Sequence, residues 1–248
     1  MTVKPLAMLS STGYKMGVQY ELKQGQNRQF HELSSGLKME GESDAPADKA
    51  AGTLQTHAAD VAHFIKKELT SSAVLVGHSF GDMSNQHPDL ARAVLVCSVP
   101  PSGNSGLVWR YLFSKPIAAF KVTRSLAAKA FQTDLSLCKE TFFSTQMDDN
   151  LVQRYQMLMK ESSRLPLFDL RKLNASLPVP SVPESSVKVL VVGARDDFIV
   201  DAKGLDETGK FYGVSPVCVD GVAHDMMLDC SWEKGANVIL SWLRTVDS

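Results

Sequence analysis

Residues 73–81 read Ala73-Val74-Leu75-Val76-Gly77-His78-Ser79-Phe80-Gly81. Four apolar residues lead directly into Gly-x-Ser-x-Gly. A short apolar run of this kind suits a strand buried on both faces. The Gly-x-Ser-x-Gly that follows predicts a sharp strand-to-helix turn with Ser79 at its apex. Side chains at Gly77 and Gly81 would collide across such a turn, and the serine is pushed into strained backbone. The turn lifts the hydroxyl clear of the sheet, where a base can reach it. A plain tight turn after a core strand has the same local pattern, so the decision falls to the rest of the chain.

Two further runs of the same type lie near the C-terminus. Lys188-Val189-Leu190-Val191-Val192-Gly193 precedes Ala194-Arg195-Asp196-Asp197, and Pro216-Val217-Cys218-Val219 precedes Asp220-Gly221-Val222-Ala223-His224. A serine, an acid and a histidine thus each follow a strand end, in that order. In an open parallel sheet the loops beyond the carboxyl ends of the strands gather on one edge, where ligands bind. A serine hydroxyl becomes an effective nucleophile when a base removes its proton, and imidazole titrates near the working pH. A carboxylate then fixes the tautomer of the imidazole and offsets the charge it gains.

These motifs, together with Gly41-Glu42-Ser43-Asp44, resemble the α/β-hydrolase family, and its esterase-like members in particular, from about Gly41 to the C-terminus. The resemblance implies an α/β fold, a mostly parallel sheet flanked by helices, with a helical cap insertion. It also implies a serine hydrolase acting on a small ester or similar acyl substrate. Its catalytic residues are Ser79, Asp196 and His224, with the backbone N–H of Phe80 as an oxyanion donor. Asp196 is the expected acid because family members usually place it three residues after the strand-ending glycine, here Gly193; Asp197 is the rival. The resemblance implies no cofactor and no metal. Ser79 at the elbow disfavours epoxide and haloalkane chemistry, which uses a carboxylate there.

Composition sets the outer bounds. The chain has 248 residues, 44% of them hydrophobic, enough for one sizeable core. A net charge of −1 gives no overall electrostatic footprint for nucleic acid or an anionic membrane. Cys97, Cys138, Cys218 and Cys230 are widely spaced without a C-x-x-C pair, which reads as reduced thiols and a cytoplasmic setting, organelle import being a fainter possibility. No apolar run reaches the length of a membrane span. His57 and His63 lie six apart, not on one helical face, so they are not a metal pair.

Residues 1–27 show no clear period and read as an irregular N-terminal arm, with the hydrolase domain over 28–248. Arg28–Leu33 and Leu37–Glu40 flank Ser34-Ser35-Gly36 as a β-hairpin. Thr53 caps a helix that runs to Leu69. Ala93–Val99 is a strand. The cap spans about 104–176, with helices over Gly106–Phe113, Ile117–Phe131, Leu135–Ser144 and Asp149–Met159. The Pro- and Ser-rich stretch Leu177–Val187 links back to the sheet, and Ser231–Val246 is a closing amphipathic helix.

The sequence also departs from the family pattern. No His-Gly dipeptide marks an oxyanion loop after a third strand. Arg28 to Gly77 spans 50 residues. Five strands and two helices, at roughly 5–6 and 11–12 residues each plus connections, need about 80. The expectation is a missing strand–helix–strand unit between Glu40 and Gly41, and a shortened helix after Ser79, as in a truncated isoform. The alternative reading is therefore a catalytically impaired or non-catalytic relative with an incomplete oxyanion hole.

Overall fold

A computed structural model describes residues 6–9, 53–68, 73–80, 90–103, 105–161, 177 and 187–245. The expected hairpin over 28–40, the Gly41–Asp44 loop, and all of the 178–186 linker lie outside the described residues.

Among the described residues, five strands form one sheet in the order β1-β2-β3-β4-β5, every neighbouring pair parallel. They are β1 (Leu6–Leu9), β2 (Ala73–His78), β3 (Leu90–Val96), β4 (Lys188–Ala194) and β5 (Val217–Val219). The inner strands carry apolar residues on both faces, which is why they read as unbroken runs rather than alternating ones. Val74, Val76, Val94, Val96, Leu190 and Val192 form one face's core. Against it pack Val238, Ile239, Trp242 and Leu243 of the closing helix, Trp232–Thr245. Leu95 and Val191 point to the other face and meet Leu205 and Tyr212.

Helices complete the layers. Leu54–Glu68, α1, precedes β2; Thr53 Oγ1 accepts the Thr56 N–H at 3.2 Å, the N-cap that the sequence predicts. Between β3 and β4 lie α2 (Ser105–Ser114), α3 (Pro116–Leu126), α4 (Leu135–Phe142) and α5 (Asp149–Glu161). All four start within one residue of the expected positions, but α3 stops at Leu126, short of the expected Phe131. Phe142, Phe143, Met147, Val152 and Met159 give the α4–α5 region a core cluster of its own. Next come α6 (Ala202–Phe211), which the sequence reading left unassigned, and α7, the closing helix. The Asp201 carboxylate caps α6 by accepting the Gly204 N–H at 2.9 Å.

The irregular N-terminal arm is corrected at Leu6–Leu9. These four residues form β1 and pair with β2, Leu6 opposite Val74 and Leu9 opposite Gly77. Four residues are too few to show a period. Only the sheet reveals their role, because β2 otherwise presents unpaired N–H and C=O groups along that side. A strand therefore does stand beside β2. β3 begins at Leu90, three residues ahead of the expected start, and the shortened helix expected after Ser79 lies outside the described residues.

Candidate active site

The loops after β2, β4 and β5 share the carboxyl edge of the sheet. At the end of β2, Ser79 has φ +56°, a left-handed conformation rare outside glycine, and the residue is 6% exposed. This is the strained apex that the Gly-x-Ser-x-Gly pattern predicts. The Ser79 carbonyl accepts the Val99 N–H at 3.1 Å, which ties the elbow to the end of β3. Phe80 packs against Val99, Leu107 and Val200, so the residue after the serine is fixed by the cap and by the loop after β4.

The loops after β4 and β5 are joined by their backbones. Arg195 N–H donates to Val219 C=O at 2.8 Å, and Asp196 N–H to Val222 C=O at 3.2 Å. This stitching brings His224 against the turn that follows β4. The carboxylate it meets belongs to Asp197: His224 Nδ1 lies 3.0 Å from Oδ2 and 3.1 Å from Oδ1. The expectation of Asp196 as the partner is thus corrected to its neighbour. β4 extends through Ala194, so Arg195 and Asp196 occupy the exposed turn. The chain turns back at Asp197, whose side chain is 1% exposed. Its Oδ1 also accepts the N–H groups of Ile199 and Val200, each at 2.8 Å.

A carboxylate accepts only, so Nδ1 of His224 carries the proton and Nε2 is left with its lone pair. Burial disfavours a charge on His224. The charge and hydrogen bond of Asp197, with the charge of Asp225, outweigh burial and hold the imidazole pKa above its usual 6.5. The imidazole of His224 is thus stabilised in its protonated form. Ser79 makes no hydrogen bond to His224 here; such bonds often tighten only around substrate.

Three further buried groups adjoin the site, and sequence alone assigned none of them a place in it. His78 is fully buried and its ring centroid lies 4.9 Å from that of His224. Its Nε2–H donates to the His224 carbonyl at 3.0 Å. Burial above all, then the charge of His224, pushes the His78 pKa down to about 3, so the ring is neutral. Asp225 is also fully buried, and neither carboxyl oxygen has a hydrogen-bond partner among the described residues. Burial, and then the charges of Asp197 and Asp229 against that of His224, raises its pKa to about 7. Although Asp225 precedes the short helical turn Met226–Leu228, its side chain makes no capping hydrogen bond to it. Cys97, at φ +47°, sits beside Asp197 with its thiol pKa raised by burial and by that carboxylate. The signal for His78 was present inside the motif itself, but nothing local said what a buried imidazole there would touch.

His78, His224 and Asp225 each bring a potential ligand atom within 4.8 Å of one another, and so do Cys97, Asp197 and His224. The hydrogen bonds described above build both clusters: Nδ1 of His224 is committed to Asp197, and Nε2 of His78 to a carbonyl. Among the described residues no helix is long and apolar enough to cross a membrane.

A parallel sheet with this edge, this elbow and this acid–imidazole pair defines an α/β hydrolase. The chain belongs to the alpha/beta hydrolase family, whose model matches residues 25–236. Among solved structures it is similar to a bromoperoxidase from Bacillus anthracis, at 15% identity and TM-score 0.63 over 98% of this chain and 92% of that one. MenH from S. aureus is similar at 12% identity and TM-score 0.65, covering 99% and 95%. A structure from work on carboxylesterases of Nitrososphaera gargenis is similar at 14% identity and TM-score 0.62, covering 98% and 91%. No curated protein sequence matches the chain.

Proposed function

We propose that this chain is a serine hydrolase of ester-like substrates, with Ser79 as nucleophile, His224 as base and Asp197 as the orienting acid. The observation that carries it is the buried contact of His224 Nδ1 with both oxygens of Asp197, on the sheet edge where Ser79 stands at φ +56°. Family membership supports a hydrolase, and structures described as esterases share the fold. In this reading Nε2 of His224 takes the Ser79 proton as the hydroxyl attacks the substrate carbonyl. Asp197 stabilises the imidazolium, and the proton passes on to the departing alcohol. The acyl-enzyme is then released by water activated in the same way. The Phe80 N–H supplies one donor to the oxyanion.

A fluorophosphonate probe tests the nucleophile directly. The expected result is labelling at Ser79, together with p-nitrophenyl ester turnover that Ser79→Ala abolishes. Folded protein that neither labels nor turns over ester would establish the alternative, a non-catalytic relative with an incomplete oxyanion hole.

A further inference from the structure

The Ser79, Asp197 and His224 set leaves His78 and Asp225 unexplained. Both are fully buried at the heart of the site, and burying a carboxylate without donors is costly. Their contacts converge on one residue. His78 is the last residue of the strand that presents Ser79, and its Nε2–H grips the His224 carbonyl at 3.0 Å. Asp225 follows His224 directly. Its backbone N–H donates to the Phe142 carbonyl at 2.9 Å, the last residue of α4 in the cap. The Asp225 carboxyl lies 3.7 Å from Nε2 of His78, too far for a hydrogen bond but close enough to act by charge. The His224 backbone is thus held from two sides, by the nucleophile strand and by the cap.

We propose that His78 and Asp225 are positioning residues for the His224 imidazole. His78 ties the base loop to the strand carrying Ser79, and Asp225 ties it to the cap while placing a second anion beside the ring. The proposal rests on the reading of His224 as the base. Its logic is geometric. Ser79 and His224 come from strands separated in the sheet, and a displacement near 1 Å between reacting groups costs about a hundredfold in rate. A hydrogen bond from the residue adjoining the nucleophile to the carbonyl of the base spans that gap directly.

The charge of Asp225 acts within a crowded set. Facing it are His78 from β2, Asp197 from the loop after β4 and His224 from its own loop. Asp229 faces it from just beyond, Cys138 from α4, and Cys97 from the end of β3. When Asp225 ionises, its charge favours the imidazolium of His224. The two groups then titrate as a coupled pair rather than independently.

Two readouts on the full-length chain test this: histidine side-chain NMR titration, and turnover of a p-nitrophenyl ester. The wild type is compared with Asp225→Asn, His78→Gln and His78→Leu. Asp225→Asn keeps the shape and removes the charge. It is expected to replace the coupled steps by a single His224 step, with a midpoint lower by about one pH unit. His78→Leu removes the N–H and is expected to lower kcat by about 10–100-fold with KM little changed. His78→Gln, which can restore a donor at similar reach, is expected to recover most of that loss. An unmoved His224 titration in Asp225→Asn, or wild-type kcat in a folded His78→Leu, overturns the proposal. A wild-type chain whose His224 and Asp225 titrate together but which turns over no ester overturns the hydrolase reading and leaves the coupling supported.

Discussion

Two acid–imidazole pairs lie side by side in this molecule, and they have opposite character. His224 and Asp197 make two close contacts, at 3.0 and 3.1 Å, and two backbone N–H groups complete the shell of the carboxylate. His78 and Asp225 approach only to 3.7 Å, and that carboxyl has no hydrogen bond among the described residues. Burial is nearly the same for both pairs, so burial cannot explain the difference. The charge and the hydrogen bond of Asp197 do. With its acid in contact, His224 has a raised pKa; without one, His78 is pushed down to about 3 and Asp225 up to about 7. His224 thus holds a proton more readily than a free imidazole, His78 stays neutral, and Asp225 ionises only near pH 7.

The sharpest way to break this comparison is at the turn after β4. Asp197→Asn leaves the shape but offers an amide where His224 needs an anion, which favours the wrong tautomer. The expected loss in kcat for ester hydrolysis is about 10⁴-fold. Asp196→Asn, in the exposed turn, is expected to leave kcat close to wild type. Equal losses in the two variants would refute the assignment of Asp197.

The second pair makes a smaller prediction, read in stability. His78 has a lowered folded pKa, so its contribution is present above the unfolded value of 6.5 and is lost as pH falls. Asp225 has a raised one, so its contribution is full below 3.8 and is lost as pH rises toward 7. Between about pH 4 and 6.5 the two slopes oppose each other, each about 1.4 kcal/mol per pH unit. Relative to wild type, Asp225→Asn should then lose stability on acidification, and His78→Gln should gain it. Urea midpoints at pH 5 and pH 6.5 measure both. Parallel shifts in the two variants would show that the pair does not behave as described.

The smallest effect is expected at an exposed pair nearby. Arg195 Nε lies 2.8 Å from Asp220 Oδ1, between the same two loops, but in solvent. Such pairs contribute little. Asp220→Asn should match wild type in thermal midpoint and kcat. A marked fall in either would mean that the loops are held together by this ion pair rather than by their backbone hydrogen bonds.

Much of the molecule was legible in the sequence where a local signal was long or chemically distinctive. β2 and β4 stand out as apolar runs, and α2 to α5 by helical spacing and length. Ser79 is marked by its flanking glycines. α6 was less visible: its start depends on Asp201 acting as a cap, and its core contact rests on Leu205. β1 was invisible, because four apolar residues mean nothing until a neighbour offers them a ladder.

Sequence alone determined the order of β2 to β5 along the chain, the parallel α/β class, and the chemical types gathered at one edge, because burial on both faces and the Gly-x-Ser-x-Gly turn leave direct marks in residue choice. Tertiary structure alone decided which of two adjacent aspartates meets His224, that Leu6–Leu9 joins the sheet, and that His78 and Asp225 are buried beside His224. Those outcomes depend on where one strand ends and on which backbone groups are left to pair across the sheet. Long-range hydrogen bonding and burial settle them, and neither is encoded in any short window of the chain.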